Sequence, residues 1–189
     1  MIKKVGKFNS FVRAASTLNA LHLRLSPFIF VTVICVGIGS GVAPHMAFIR
    51  DRVFSADNGK KVKSLSLYFG NRFKEREFLY RPELEQVASK HSDWFTLHTA
   101  FSRDVKGKKT YVQDLVAVNN DIRETLLEQK GLLYVCGNRN LPAPLIKSIV
   151  ENFALGKTDQ SSSAAASEHQ ARLQVEDMFI HGRAQQEVW

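Results

Sequence analysis

The chain has 189 residues, of which 44% are hydrophobic and 23% charged, a globular composition long enough for one domain with a sizeable core. The formal net charge of +8 is uneven: Lys3, Lys4, Lys7, Arg13 and Arg24 supply five of it within an acid-free first 26 residues, leaving +3 on the remainder. That distribution excludes a nucleic-acid groove with its continuous basic stripe and favours a phosphate-bearing ligand; two distant cysteines, Cys35 and Cys136, exclude a disulfide framework or a zinc site and fit a reducing compartment.

Residues 1–26 form a basic N-terminal extension, either disordered or used for targeting, since a basic, Ser-containing, acid-free start is similar to a presequence or a signal n-region. The cytoplasm is the expected location, with a mitochondrial or membrane-associated one as the alternative. Leu25 to Ile49 is nearly uncharged and long enough to be a membrane candidate. Its dense apolar part, Phe28 to Val36, is nine residues, too short for a spanning helix, and the rest holds glycines, a serine, a proline and a histidine. A membrane span is therefore disfavoured.

From residue 27 onward the chain reads as one domain of alternating strands and helices. Phe30 to Val36 predicts a strand buried on both faces, ending at Gly37. Ala43 to Phe54 predicts a helix with Pro44 in its first turn. SLSLYFG (64–70) is the next strand, followed by a helix over 78–91 with Leu84, Val87 and Ala88 on one face. WFTLHTAF (94–101) is strand-like, and the stretch from Tyr111 to Leu126 is helical. LLYVCG (132–137) is the fourth strand, before a helix that carries Ile146, Ile149, Val150 and Phe153. Residues 155–167 read as a flexible surface loop, and a last helix over 168–181 leads to the terminal EVW. Four alternations predict an α/β, doubly wound, mainly parallel sheet with ligands at the carboxyl ends of its strands.

Each predicted strand end carries polar or conformationally special residues. GIGSGVAP (37–44) fits a phosphate-cradling turn, with Gly37, Gly39 and Gly41 admitting backbone N–H groups to a pyrophosphate, or a purely structural turn. Arg72 offers a planar fork for a phosphate, although an arginine in a charged loop is as readily a solvated one. TAFSRDVKGKKTYVQ (99–113) gathers Ser102, Arg103, Lys106, Lys108, Lys109 and Tyr111, suited to a dianionic phosphate and a stacked adenine, or to plain solvation. YVCGN (134–138) places the Cys136 thiol at a strand end, as a reactive group or as inert packing.

Taken in order, GIGSGVAP, YFGNR, AFSRD with KKTYVQ, YVCGN and the terminal E-V-W resemble the NADPH-binding domain of the diflavin reductases. That family includes cytochrome P450 reductase, the sulphite reductase flavoprotein and the NADPH-dependent diflavin reductase of cytosolic iron–sulphur assembly. The resemblance runs from about Val31 to Trp189 and implies a fold like the C-terminal domain of ferredoxin–NADP reductases. It also implies that Gly37, Gly39, Ser40 and Gly41 hold the pyrophosphate and nicotinamide, that Arg72 touches a phosphate, and that Ser102, Arg103, Lys109 and Tyr111 recognise the 2′-phosphate. Gln113, Gly137 and Asn138 fall within the same motifs and are expected at the cofactor. Cys136, Glu187 and Trp189 match the catalytic end: a sulphur near the nicotinamide, an acid, and an aromatic that stacks on the flavin.

Ser40, Asn71 and Asn138 depart from the family's usual threonine, cysteine and aspartate. RNLPAPL after Gly137 and the glutamate before the final tryptophan look more like the iron–sulphur-assembly member. The implied function is an NADPH-binding module that passes hydride to an FAD on a separate or missing domain, with FMN beyond it; the alternatives are a non-catalytic NADPH-binding remnant or interaction protein, or a small membrane-anchored or organellar protein. The implied partners are the FAD and FMN domains, in cis or trans, and an acceptor that is an anamorsin-like iron–sulphur protein or a haem protein.

Overall fold

The computed structural model describes residues 27–107, 109–155 and 164–189; the N-terminal extension, Lys108 and residues 156–163 lie outside them. Five parallel strands form one sheet: β1 (Val33–Ile38), β2 (Leu65–Asn71), β3 (Phe95–Phe101), β4 (Leu132–Gly137) and β5 (Ala184–Val188), in the order β3-β2-β1-β4-β5. The sequence therefore runs outward from β1 in one direction and then, through β4, in the other. The crevice between β1 and β4 is the switch point where ligands of such sheets bind.

Both faces of β1 are apolar because both are covered. Ile34 and Val36 face one cluster, with Val116, Leu126, Leu145 and Phe153. Val33 and Cys35 face the other, with Met46, Ile49, Leu67 and Leu84. The first cluster lies under α4 (Val112–Val118), α5 (Asn120–Arg123), α6 (Pro142–Leu155) and α7 (Ala164–Ile180). The second lies under α1 (Ala43–Asp57), with α2 (Lys74–Glu77) and α3 (Arg81–Lys90) beyond it toward the β3 edge. Among the described residues no helix is long and apolar enough to cross a membrane.

The structure moves several predicted boundaries. The first strand starts at Val33, and Pro27–Phe30 is a 3-10 turn. Arg52 explains the shift: wholly buried on α1, it donates from Nη2 to the carbonyls of Phe28 (2.6 Å) and Val31 (2.8 Å) and from Nε to that of Lys63 (3.2 Å). Carbonyls drawn to one guanidinium cannot also point along a ladder. The predicted single helix over 111–126 is broken at Asn119, which is extended, and resumes as α5 and a π-helical turn at Glu124–Glu128. Buried Asn152 donates to the carbonyls of Val116, Ala117 and Asn119, which caps α4 and fixes the break. The last helix begins at Ala164, inside the stretch 155–167 expected to be a loop, because Ser167, Ala171, Val175 and Met178 bury one face of it. A fifth strand, β5, was not expected at all; it pairs with β4 from Leu133↔Ala184 to Gly137↔Val188.

Candidate functional site

The turn after β1 is built by glycines with different duties. Gly39 has φ +56° and a Cβ there would touch nothing, so this position needs glycine for its left-handed backbone. Gly41 is the reverse: a Cβ would stand 2.2 Å from the carbonyl oxygen of Cys136. At Gly37 it would lie 3.0 Å from the Gly41 oxygen, and at Gly137 2.4 Å from the Cγ1 of Ile38. Gly37 thus lets the turn fold back onto the end of β1, Gly41 and Gly137 seat it against the end of β4, and Gly39 and Ser40 are left facing outward ahead of α1.

A cleft of about 460 Å³ crosses the carboxyl ends of the strands. The β1 end contributes Ile38, Gly39 and Ser40, and the β2 end Asn71 and Arg72. The loop after β3 contributes Ser102, Thr110, Tyr111 and Gln113; the β4 end contributes Asn138, Asn140, Leu141 and Pro144. Trp189 closes one side: its N–H donates to Gly137 O (3.3 Å), and its carbonyl accepts from Arg139 N (3.0 Å). The side chain is 59% exposed. The structure therefore brings Gly39, Ser40, Arg72, Ser102, Tyr111, Gln113, Asn138 and Trp189 to one cleft. Arg103 and Lys109 are exposed on the loop outside its lining.

Cys136 and Glu187 stand in a neighbouring recess between α1, β4 and β5, together with Pro44, His45 and Phe48. Cys136 is 5% exposed, and burial, with Glu187 adding to it, pushes its pKa up to about 11. It is a neutral thiol at physiological pH, unlike the thiolates in electropositive surroundings that act as nucleophiles.

Two loops are joined before any ligand arrives. Ser102 N donates to Asn71 O (3.0 Å), Arg103 N to Arg72 O (2.8 Å), and Lys74 N to Asp104 Oδ1 (2.8 Å). Asp114 accepts from Tyr111 N at 2.8 Å and so fixes the start of α4 below the tyrosine ring.

Thr110 and Asn140 line the cleft without having been singled out in the sequence. Thr110 sits between Lys109 and Tyr111, both of which were, and Asn140 N is held by Asn138 Oδ1 at 2.9 Å. Adjacency to motif residues was the available signal.

His45, in the first turn of α1, is buried and donates from Nε2 to Val36 O at 3.1 Å. Its Nδ1 has no partner, and burial lowers its pKa from 6.5 to about 4. A base with a depressed folded-state pKa leaves stability intact above pH 6.5 and takes it away as pH falls toward 4, because the unfolded chain binds the proton first. Between pH 6.5 and 5 the unfolding free energy should fall with a slope approaching 1.4 kcal/mol per pH unit, about one proton. Urea titrations of His45→Phe over that window should show a distinctly flatter slope; an unchanged slope would assign the effect to another group.

A family model for the oxidoreductase NAD-binding domain matches residues 35–147, which include the glycine turn, both joined loops and the end of β4. The chain belongs to that family. Its sequence is 32% identical to the NADPH–cytochrome P450 reductase of Candida maltosa over 188 residues, 97% of this chain and 26% of that protein. It is 36% identical to that of Musca domestica over 160 residues, 84% of this chain and 22% of the relative. It is also 37% identical over 158 residues to the mitochondrial pyruvate dehydrogenase [NADP(+)] of Euglena gracilis, 83% of this chain and 8% of the relative. The chain thus spans about a quarter or less of these relatives. As an NAD-binding domain of this kind, it corresponds to the NADPH-binding part of the diflavin reductases, and the parallel sheet and switch-point cleft are those expected of the family.

Proposed function

We propose that this chain binds NADPH across the strand ends and presents its nicotinamide to an FAD carried by another domain or chain, for onward electron transfer through FMN. The observation that carries this reading is the single cleft shared by the β1 glycine turn, Arg72, the Ser102–Gln113 loop and Trp189. The fit to a dinucleotide is chemical as well as spatial. Gly39 and Ser40 bring backbone N–H groups and the positive end of a 15-residue helix to one place, where a pyrophosphate is stabilised. Arg72 adds a second cationic contact. Ser102 and Tyr111 would hold the far end, with Arg103 and Lys109 beside them to meet the 2′-phosphate, and Gln113 lines the same cleft.

At the other end Gly37, Gly41 and Gly137 set the shape of the turn and strand end, Asn138 would offer hydrogen bonds, and Trp189 closes the side of the cleft where the nicotinamide would enter. NADPH supplies the hydride, and the protein orients it and excludes water. Cys136 and Glu187, in the recess beside this cleft, would act on the nicotinamide from there, the thiol as a neutral, polarisable group and the acid as a negative charge favouring the oxidised, positively charged ring. We extend the reading to a haem protein or an anamorsin-like iron–sulphur protein as electron acceptor and to the cytoplasm as location.

The 2′-phosphate assignment is tested with Arg103→Ala. Calorimetry should show 2′,5′-ADP binding weakened by about 10- to 100-fold, the loss of a charge-assisted contact, with 5′-AMP binding nearly unchanged. Equal losses for the two ligands would remove Arg103 from that role.

A further inference from the structure

Resting on that reading, the β2 end reveals a residue that acts on the cofactor cleft without lining it. Glu77 is the last residue of α2, in a charged run that reads in sequence as solvated surface. Its carboxylate collects four donors. Oε1 accepts from Arg72 Nη2 at 2.6 Å, and Oε2 accepts from Arg72 Nε at 3.2 Å, from Arg72 N at 3.2 Å and from Phe73 N at 3.3 Å. Asn71 braces the same turn: its Nδ2 donates to Glu77 O at 2.8 Å, and its Oδ1 accepts from Arg72 N at 2.9 Å. The Glu77 side chain is 21% exposed and that of Arg72 is 59% exposed. The acid is set in the turn while the arginine reaches out along the cleft wall.

We propose that Glu77 is a positioning residue for Arg72, holding one edge of the guanidinium so that the opposite edge, with Nη1, stands ready for the cofactor's phosphate. Two effects of Glu77 oppose each other. Its charge reduces the attraction of the site for anions, but at an exposed surface that repulsion is screened by salt. Fixing a long side chain in advance removes an ordering cost from the binding step, and salt does not screen that. The ordering effect wins, so loss of Glu77 weakens binding.

The proposal differs from a merely structural role in a measurable way, because its effect depends on Arg72. NADP+ binding to the full chain is measured by calorimetry for the wild type, Glu77→Ala, Arg72→Ala and the double variant, at near-physiological salt. Glu77→Ala should weaken binding about fivefold, the order expected for freeing one long side chain, and should cost nothing further once Arg72 is alanine. Glu77→Gln, which keeps acceptor oxygens for the backbone and the guanidinium and serves as the second variant if the alanine form does not fold, should fall between wild type and Glu77→Ala.

Unchanged or tighter binding in Glu77→Ala or Glu77→Gln would overturn the proposal by showing that the carboxylate is idle or competes with phosphate. A fivefold loss that persists without Arg72 would reduce Glu77 to general support of the loop and would equally overturn it. If the wild-type chain fails to bind NADP+, the cofactor reading falls and this inference with it; if the wild type binds and the Glu77 variants match it, only the inference falls.

Discussion

Gly41→Ala should be the most damaging single-methyl change at any described glycine. The added carbon would stand 2.2 Å from the oxygen and 2.6 Å from the carbonyl carbon of Cys136, and 3.0 Å from Gly137 N. All three are backbone atoms of β4, which pairs on one side with β1 and on the other with β5. A side chain would turn aside, but a doubly paired strand cannot. Either the turn lifts off the sheet or β4 shifts and carries Cys136 and the Trp189 anchor with it. Overpacking of this severity costs about 3 kcal/mol, roughly 6 to 12 °C of thermal midpoint for a chain of this size. Gly39→Ala is the internal control. It meets open space but must keep φ at +56°, a strain of about 1 to 2 kcal/mol. Thermal unfolding should rank wild type above Gly39→Ala, and Gly39→Ala above Gly41→Ala. If the two variants melt together, the close approach of turn and strand is not what makes glycine necessary at 41.

The second large effect is expected at the opposite end of the sheet. Arg52→Met keeps most of the apolar stem but strips the guanidinium donors from the carbonyls of Phe28, Val31 and Lys63. Relief comes from no longer burying a charge, and it opposes the loss. Phe28 O keeps the Val31 N–H at 3.3 Å, but the carbonyls of Val31 and Lys63 lose their guanidinium donors, and that loss outweighs the relief for one cation whose Nη1 is already unpartnered. A loss of about 3 kcal/mol is expected in urea unfolding, with NADP+ affinity unchanged in the folded fraction. Unaltered stability would mean that the charge penalty and the three bonds cancel.

The four strand–helix alternations were legible because burial on both faces writes continuous β-branched runs such as VTVICV, and helix faces such as Leu84 and Val87 recur at helical spacing. AQQEV was not legible as a strand. An edge strand needs only one side of its ladder, and only Ala184 of its five residues is buried, so neither alternation nor hydrophobicity marks it. The break at Asn119 was hidden for another reason: the residue that causes it, Asn152, lies 33 positions away.

At the strand ends, eight of the residues named from the sequence share one cleft. Sequence could not separate Gly39, which shapes the turn, from Gly41, which is pressed against β4, or from Gly37, which is pressed against the turn and His45, since a glycine carries no sign of its neighbours. Glu77 was invisible as well, because a carboxylate in KERE says nothing about which arginine it will hold.

All five strands point the same way, so the recognition loops hang from one rim while the Arg52 clamp fastens the other. On the proposed reading, exchanging the charged residues between Arg103 and Lys109 would alter which nucleotide is preferred while leaving buried Val112 and the Arg52 clamp in place. On that reading, cofactor taste and durability are separate dials.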